Sequence, residues 1–104
     1  MYFTKQTNIF SQWLNKLKDI KGKVAILRRV DRMKYGNFGD FKYLGDGVSE
    51  LRISFGPGYR IYYSEQESQV IILLVGGDKS SQNSDIIKAK KILEEFKNEQ
   101  SRIK

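Results

Sequence analysis

The sequence predicts an α+β fold, and three observations carry that expectation. Between Val48 and Val75, three consecutive segments have strand patterns separated by turn signals. From Ile9 to Tyr35, apolar residues recur at helical spacing. A third helical pattern follows the strands, from Ile86 to Phe96.

Tyr2 to Gln6 favours extended structure and predicts a short first strand. Thr7 or Asn8 is placed to cap a helix over residues 9–20, whose apolar positions are Ile9, Phe10, Trp13, Leu14, Leu17 and Ile20. Trp13, inside that stripe, is expected in the core. Gly22 is expected to separate this helix from a second one over residues 23–35. Val24, Leu27, Val30 and Met33, with Ala25 and Ile26, form its apolar side, and Lys23, Arg28, Arg29, Arg32 and Lys34 its basic side. That basic side is either a solvated helix face or an electrostatic binding surface, and the residues leave both open. A turn cluster, Gly36–Asp40, closes the helix. Phe41–Leu44 then starts a strand that Gly45-Asp46-Gly47 interrupts.

The central stretch begins with a strand at Val48–Phe55. Leu51, Ile53 and Phe55 alternate with Glu50, Arg52 and Ser54, so one face is apolar and the other polar. Gly56-Pro57-Gly58 predicts a three-residue hairpin loop. Tyr59–Tyr63 follows, with Tyr59, Ile61 and Tyr63 on one face and Arg60 and Tyr62 on the other. That loop length pairs Phe55 with Tyr59, Ile53 with Ile61, and Arg52 with Tyr62. Arg52, Arg60 and Tyr62 then become neighbours on one polar surface. Ser64–Ser68 is expected as a polar turn. Val70–Val75, apolar on both faces, is expected as a central strand. Asn83, Ser84 or Asp85 opens the last helix, and the chain beyond Phe96 is expected to fray.

The chain has 104 residues with no linker, which predicts one domain over 1–104. Its net charge of +7 points to an anionic partner: nucleic acid, an acidic protein or a membrane surface. Cysteine and histidine are both absent. Disulfides, thiolate chemistry and Cys- or His-based metal sites are therefore excluded, and acid–base work falls to Lys, Tyr, Arg, Asp or Glu. No apolar run reaches the ~20 residues that span a bilayer, and the first residues lack a signal-peptide pattern, so the expected location is the cytoplasm. The letters of Gly76–Gln82 do not have phosphate-loop spacing, which argues against nucleotide hydrolysis.

Two motifs together, GVSELRI…GPGYRIYY and LLVGGDKSSQ…DI…AK, make nearly the whole chain resemble the RelE/ParE superfamily of bacterial toxins. The branch most similar is the HigB-like, phage-derived addiction module killer proteins. The resemblance implies a RelE-like fold, with two N-terminal helices packed on a mostly antiparallel sheet of four to five strands and a C-terminal helix. It implies a type II toxin, usually an endoribonuclease that cleaves mRNA on the ribosome; with no His or Cys and no carboxylate cluster on the arginine face, no protein-bound metal or cofactor is expected. It also implies a cognate antitoxin, expected to be a helix-turn-helix DNA-binding protein.

Such cleavage needs only the RNA's own 2′-hydroxyl as nucleophile, a base for its proton, cations for the charge on phosphorus and an acid for the leaving 5′-oxygen. Arg52, Arg60, Tyr62 and Lys79 are the expected catalytic set. Arg28, Arg29, Arg32, Lys42 and Gln82 are the expected RNA contacts. Each catalytic candidate also has a plainer role open to it. Arg60 could pair with Glu50 or Asp46, Tyr62 could support a cross-strand pair, and Lys79 could close a turn. Two other functions compete: a gyrase-inhibiting ParE-like toxin and a basic RNA-binding domain without catalysis.

Overall fold

The computed structural model describes residues 1–103. Five strands form one sheet in the order β1-β5-β4-β3-β2, with β1 (Phe3–Gln6), β2 (Phe41–Gly45), β3 (Val48–Ile53), β4 (Tyr59–Gln66) and β5 (Val70–Asp78). Every pairing is antiparallel except β1 with β5. Helices α1 (Asn8–Lys16) and α2 (Ile20–Lys34) cover one face, and α3 (Gln82–Ile103) covers the other. The fold is α+β and compatible with the RelE-like architecture.

Both faces of the sheet are buried. Leu51, Ile53, Tyr59, Ile61 and Tyr63 join Phe10 of α1 and Ile26 and Met33 of α2 in one cluster. Val48, Tyr62, Leu74 and Val75 join Ala89 and Leu93 of α3 in the other. The two-faced apolarity of β5 is the sequence signature of this layering. Trp13 is half-buried against the first cluster, edge-on to Tyr59 at 6.2 Å between ring centroids.

Thr7 caps α1. Its Oγ1 accepts from the Phe10 amide at 3.0 Å and donates to the Leu74 carbonyl at 2.7 Å, tying the helix start to β5. The break between the N-terminal helices falls at residues 17–19, before the position expected from Gly22. Asp19 caps α2 by accepting from the Gly22 amide at 3.0 Å, and its other oxygen accepts the Tyr59 hydroxyl at 2.7 Å. Gly22 lies within the first turn of α2, where a Cβ would come 2.6 Å from the Tyr59 ring. The glycine marks a close approach there rather than a break.

Other boundaries also differ from expectation. Strand β5 continues through Gly76 and Gly77 to Asp78 in register with Ile61, Arg60 and Tyr59 of β4, and Gly76 is where the Trp13 indole leaves no room for a Cβ. Strand β4 runs on through a buried Ser64 to Gln66, leaving the turn to Glu67–Gln69. Helix α3 opens at Gln82 and continues past Phe96 to Ile103, so residues 97–103 are helical rather than frayed; Lys104 lies outside the described residues. Ile9, Ile20, Val24 and Leu27, expected in the core, are exposed.

Candidate functional site

The β3–β4 hairpin builds the site, and its register differs from the expected one by two residues. Arg52 lies opposite Arg60, Glu50 opposite Tyr62, Leu51 opposite Ile61 and Ile53 opposite Tyr59. The connection is Ser54–Gly58 rather than three residues. The Gly58 amide bonds the Phe55 carbonyl at 3.0 Å, and Gly56 and Gly58 take φ of 55° and 81°, which removes Phe55 from the strand. A shift of two preserves the faces, so the apolar pattern is satisfied either way. It also brings the two arginines directly across from each other.

Two guanidinium groups side by side need an anion between them, and Glu50 supplies it. Its side chain is completely buried. Oε1 accepts from Arg52 Nε at 2.8 Å, and Oε2 accepts from Gln82 Nε2 at 2.9 Å, with Arg60 Nε 3.6 Å from Oε2. Burial works to raise the Glu50 carboxyl. Hydrogen bonds from Arg52 and Gln82 and the charges of both arginines outweigh it and hold the group below its ordinary value. The bond to Glu50 in turn raises Arg52. The pairing of Arg60 with Glu50 that the sequence left open is therefore present, whereas Asp46 pairs with Lys90 of α3 at 3.3 Å.

The pairing leaves donors over. Arg60 Nε and Nη1 are buried and make no hydrogen bond among the described residues. A small cavity of about 100 Å³ opens beside them, lined by Asp40, Arg52, Ser54, Gly58, Tyr59 and Arg60. Lys79 is exposed in the short turn after β5. A Cβ added to Gly58 would lie 3.8 Å from the Lys79 Cβ, so Lys79 stands next to the loop that lines the cavity. Lys42, across from Glu50 on β2, is exposed on the same face of the sheet.

Tyr62 and Arg29 do not occupy the solvent-facing positions expected of them. Tyr62 belongs to the apolar cluster under α3, because that helix covers the face predicted to be open. Its hydroxyl is buried and makes no hydrogen bond among the described residues, and burial, followed by the charges of Glu50 and Asp85, raises it well above the ordinary tyrosine value. Arg29 reaches in from α2 to donate to the carbonyls of Arg52 at 2.6 Å and Phe38 at 3.0 Å, with Asp40 O at 3.4 Å. It fastens the helix to the back of β3. Arg28 and Arg32 remain exposed, but α2 covers the opposite face of the sheet from the Arg52 and Arg60 side chains. Gln82 is held by Glu50 as described.

Glu50 is the residue that sequence reasoning placed on an open polar face. The signal for its burial was present in the two-faced apolarity of β5, which requires a layer on each side of the sheet.

A family model described as "Phage derived protein Gp49-like (DUF891)" matches residues 12–97. A curated relative from Haemophilus influenzae, described as an uncharacterized protein, is 48% identical over 92 residues, which is 88% of this chain and 93% of that protein.

Proposed function

The chain belongs to the phage-derived Gp49-like family, a family of RelE-like toxins, and from that premise we propose that it is a single-domain, cytoplasmic toxin of a type II toxin–antitoxin pair, of the HigB-like kind, that cleaves mRNA on the ribosome without a bound metal. The observation that carries this reading is the arginine pair. Arg52 and Arg60 face each other across β3 and β4 beside an open cavity; among the described residues the buried Arg60 Nη1 makes no hydrogen bond, and Nε has only its 3.6 Å ion pair with Glu50. An RNA phosphate supplies the acceptors those donors lack, and charge-assisted bonds from guanidinium to phosphate are strong and directional.

In this reading the 2′-hydroxyl oxygen attacks the adjacent phosphorus as its proton passes to a solvent water acting as base. The P–O5′ bond breaks, leaving a 2′,3′-cyclic phosphate and a 5′-hydroxyl. Arg52 and Arg60 take up the charge that grows on the phosphoryl oxygens. Lys79, at the rim, gives a proton to the departing 5′-oxygen. Lys42 extends the basic surface along the strand. Arg60→Ala should lower cleavage by ~10²-fold or more while the protein stays folded. The measurement is mapping of new mRNA 5′ ends after induction in bacteria, read beside circular dichroism of the purified variant. Full cleavage by a folded Arg60→Ala protein removes Arg60 from the site. DNA damage signals without new mRNA ends would favour the gyrase-inhibiting alternative instead.

A further inference from the structure

Helix α2 carries two apolar stripes, and the sheet uses one of them. Ile26 and Met33 are buried beneath the helix, while Ile20, Val24 and Leu27 are 75%, 43% and 48% exposed. Positions 20, 24 and 27 are spaced i, i+4, i+7 and share one side of the helix. The stripe borders two hollows. One, of about 380 Å³, is lined by Ile20, Val24, Ala25 and Phe55, with Lys21 and Arg28 beside them. The other, of about 190 Å³, is bordered by Leu27 with Phe10, Leu14 and Val30. An exposed apolar ridge of this kind, edged by charge, marks an interaction surface.

We propose that the outer face of α2 docks an amphipathic helix with acidic flanks, supplied by the antitoxin; the proposal rests on reading the chain as a toxin. Apolar residues one turn apart on the incoming helix enter the two hollows on either side of the ridge. Aspartates or glutamates flanking them meet Lys21 and Arg28. Charge selects this occupant over a second copy. A two-fold contact through this face would set the same cationic flank against itself on chains that each carry +7. Shape selects it over a lipid surface, because hollows beside the ridge accept side chains of a partner. Phe55 belongs to the Ser54–Gly58 loop, whose Ser54 and Gly58 line the arginine cavity. The docked helix therefore grips the loop that shapes the site while lying on the other side of the sheet from it.

The test uses the full chain and the purified product of the neighbouring open reading frame, with affinity measured by calorimetry. Val24→Asp and Leu27→Asp should each weaken binding by ~10²-fold, as expected when an apolar anchor is replaced by a desolvated charge, while the far-ultraviolet spectrum, melting temperature and mRNA cleavage without partner stay as in the wild type. Lys21→Glu should slow association and reduce its salt dependence. If both aspartate variants bind as tightly as the wild type, the surface is wrong although the toxin–antitoxin reading stands. If the wild type itself fails to bind the neighbouring product, both fall. Light scattering that shows a wild-type dimer made monomeric by Val24→Asp would assign the ridge to a second copy. Flotation with phosphatidylglycerol vesicles, lost in Val24→Asp, would assign it to a membrane. Either result overturns the proposal.

Discussion

Gln82 Nε2 donates to Glu50 Oε2 at 2.9 Å, joining the first residue of α3 to the middle of β3 across 32 positions of sequence. The C-terminal helix thus fixes the carboxylate that holds the two arginines. The arginine pair is assembled by packing, with the buried Glu50 carboxylate beneath both guanidinium groups.

Glu50→Ala should destabilise the fold by about 2–3 kcal/mol, below the ~3–5 kcal/mol typical of breaking a fully buried pair because Arg52 is partly open to solvent. Urea denaturation measures it, and Glu50→Gln should recover part of the loss. The pH dependence follows from the depressed carboxyl. A group held below its unfolded value contributes stability above that value, and the contribution disappears as pH falls through the folded value. Acid denaturation below the ordinary glutamate value of 4.5 should therefore be less steep in Glu50→Gln than in the wild type.

Tyr62→Phe should leave cleavage intact and stability unchanged or slightly higher. The hydroxyl is buried and makes no hydrogen bond among the described residues, so its removal deletes a desolvated group. A folded Tyr62→Phe protein that no longer cuts RNA would return the residue to the catalytic set. The alkaline limb offers a second check. Tyr62 is raised in the fold, as is Tyr59, pushed up to about 12 first by burial and then by its bond to Asp19. Such groups favour the folded state less as pH climbs past the ordinary tyrosine value of 10.0, and Tyr62→Phe should soften that decline.

Gly76→Ala should lower stability by ~1–3 kcal/mol, because the new methyl meets the Trp13 ring and the core has no room to yield. Combining it with Trp13→Leu should give less than the sum of the two losses, a coupling that thermal melts of all four proteins would show.

Arg29→Lys should cost about 1–2 kcal/mol, since one ammonium cannot span the carbonyls of Arg52 and Phe38 that the guanidinium fork reaches. Arg28→Ala and Arg32→Ala, both at exposed positions, should stay within about 0.5 kcal/mol of the wild type in the same denaturation assay.

The alternation of β3 and β4 made the faces legible from sequence, and with them the neighbourhood of Arg52 and Arg60. Their register was not legible, because a three-residue and a five-residue loop satisfy the same parity; only the turn at Phe55–Gly58 separates them. Gly22 and Gly76 misled for a related reason. Glycine is the residue of turns, but it is also the residue of tight contacts, and the contacting groups, Tyr59 and Trp13, are distant in sequence. The buried Glu50 was obscured by a pattern that counts a charged residue as solvent-facing until a covering helix is in view.

The parallel pairing of Phe3 with Val70 sets an order of events during synthesis. Strand β1 has its partner 67 residues later, so at ~5–20 residues per second it waits several seconds before its backbone groups can be matched. Closing that span is also the entropically most expensive strand pairing in the sheet. The hairpins of β2 to β5 have time to form first. Once β5 has emerged and until β1 docks on it, β5 presents an open edge that a partner could meet on the nascent chain.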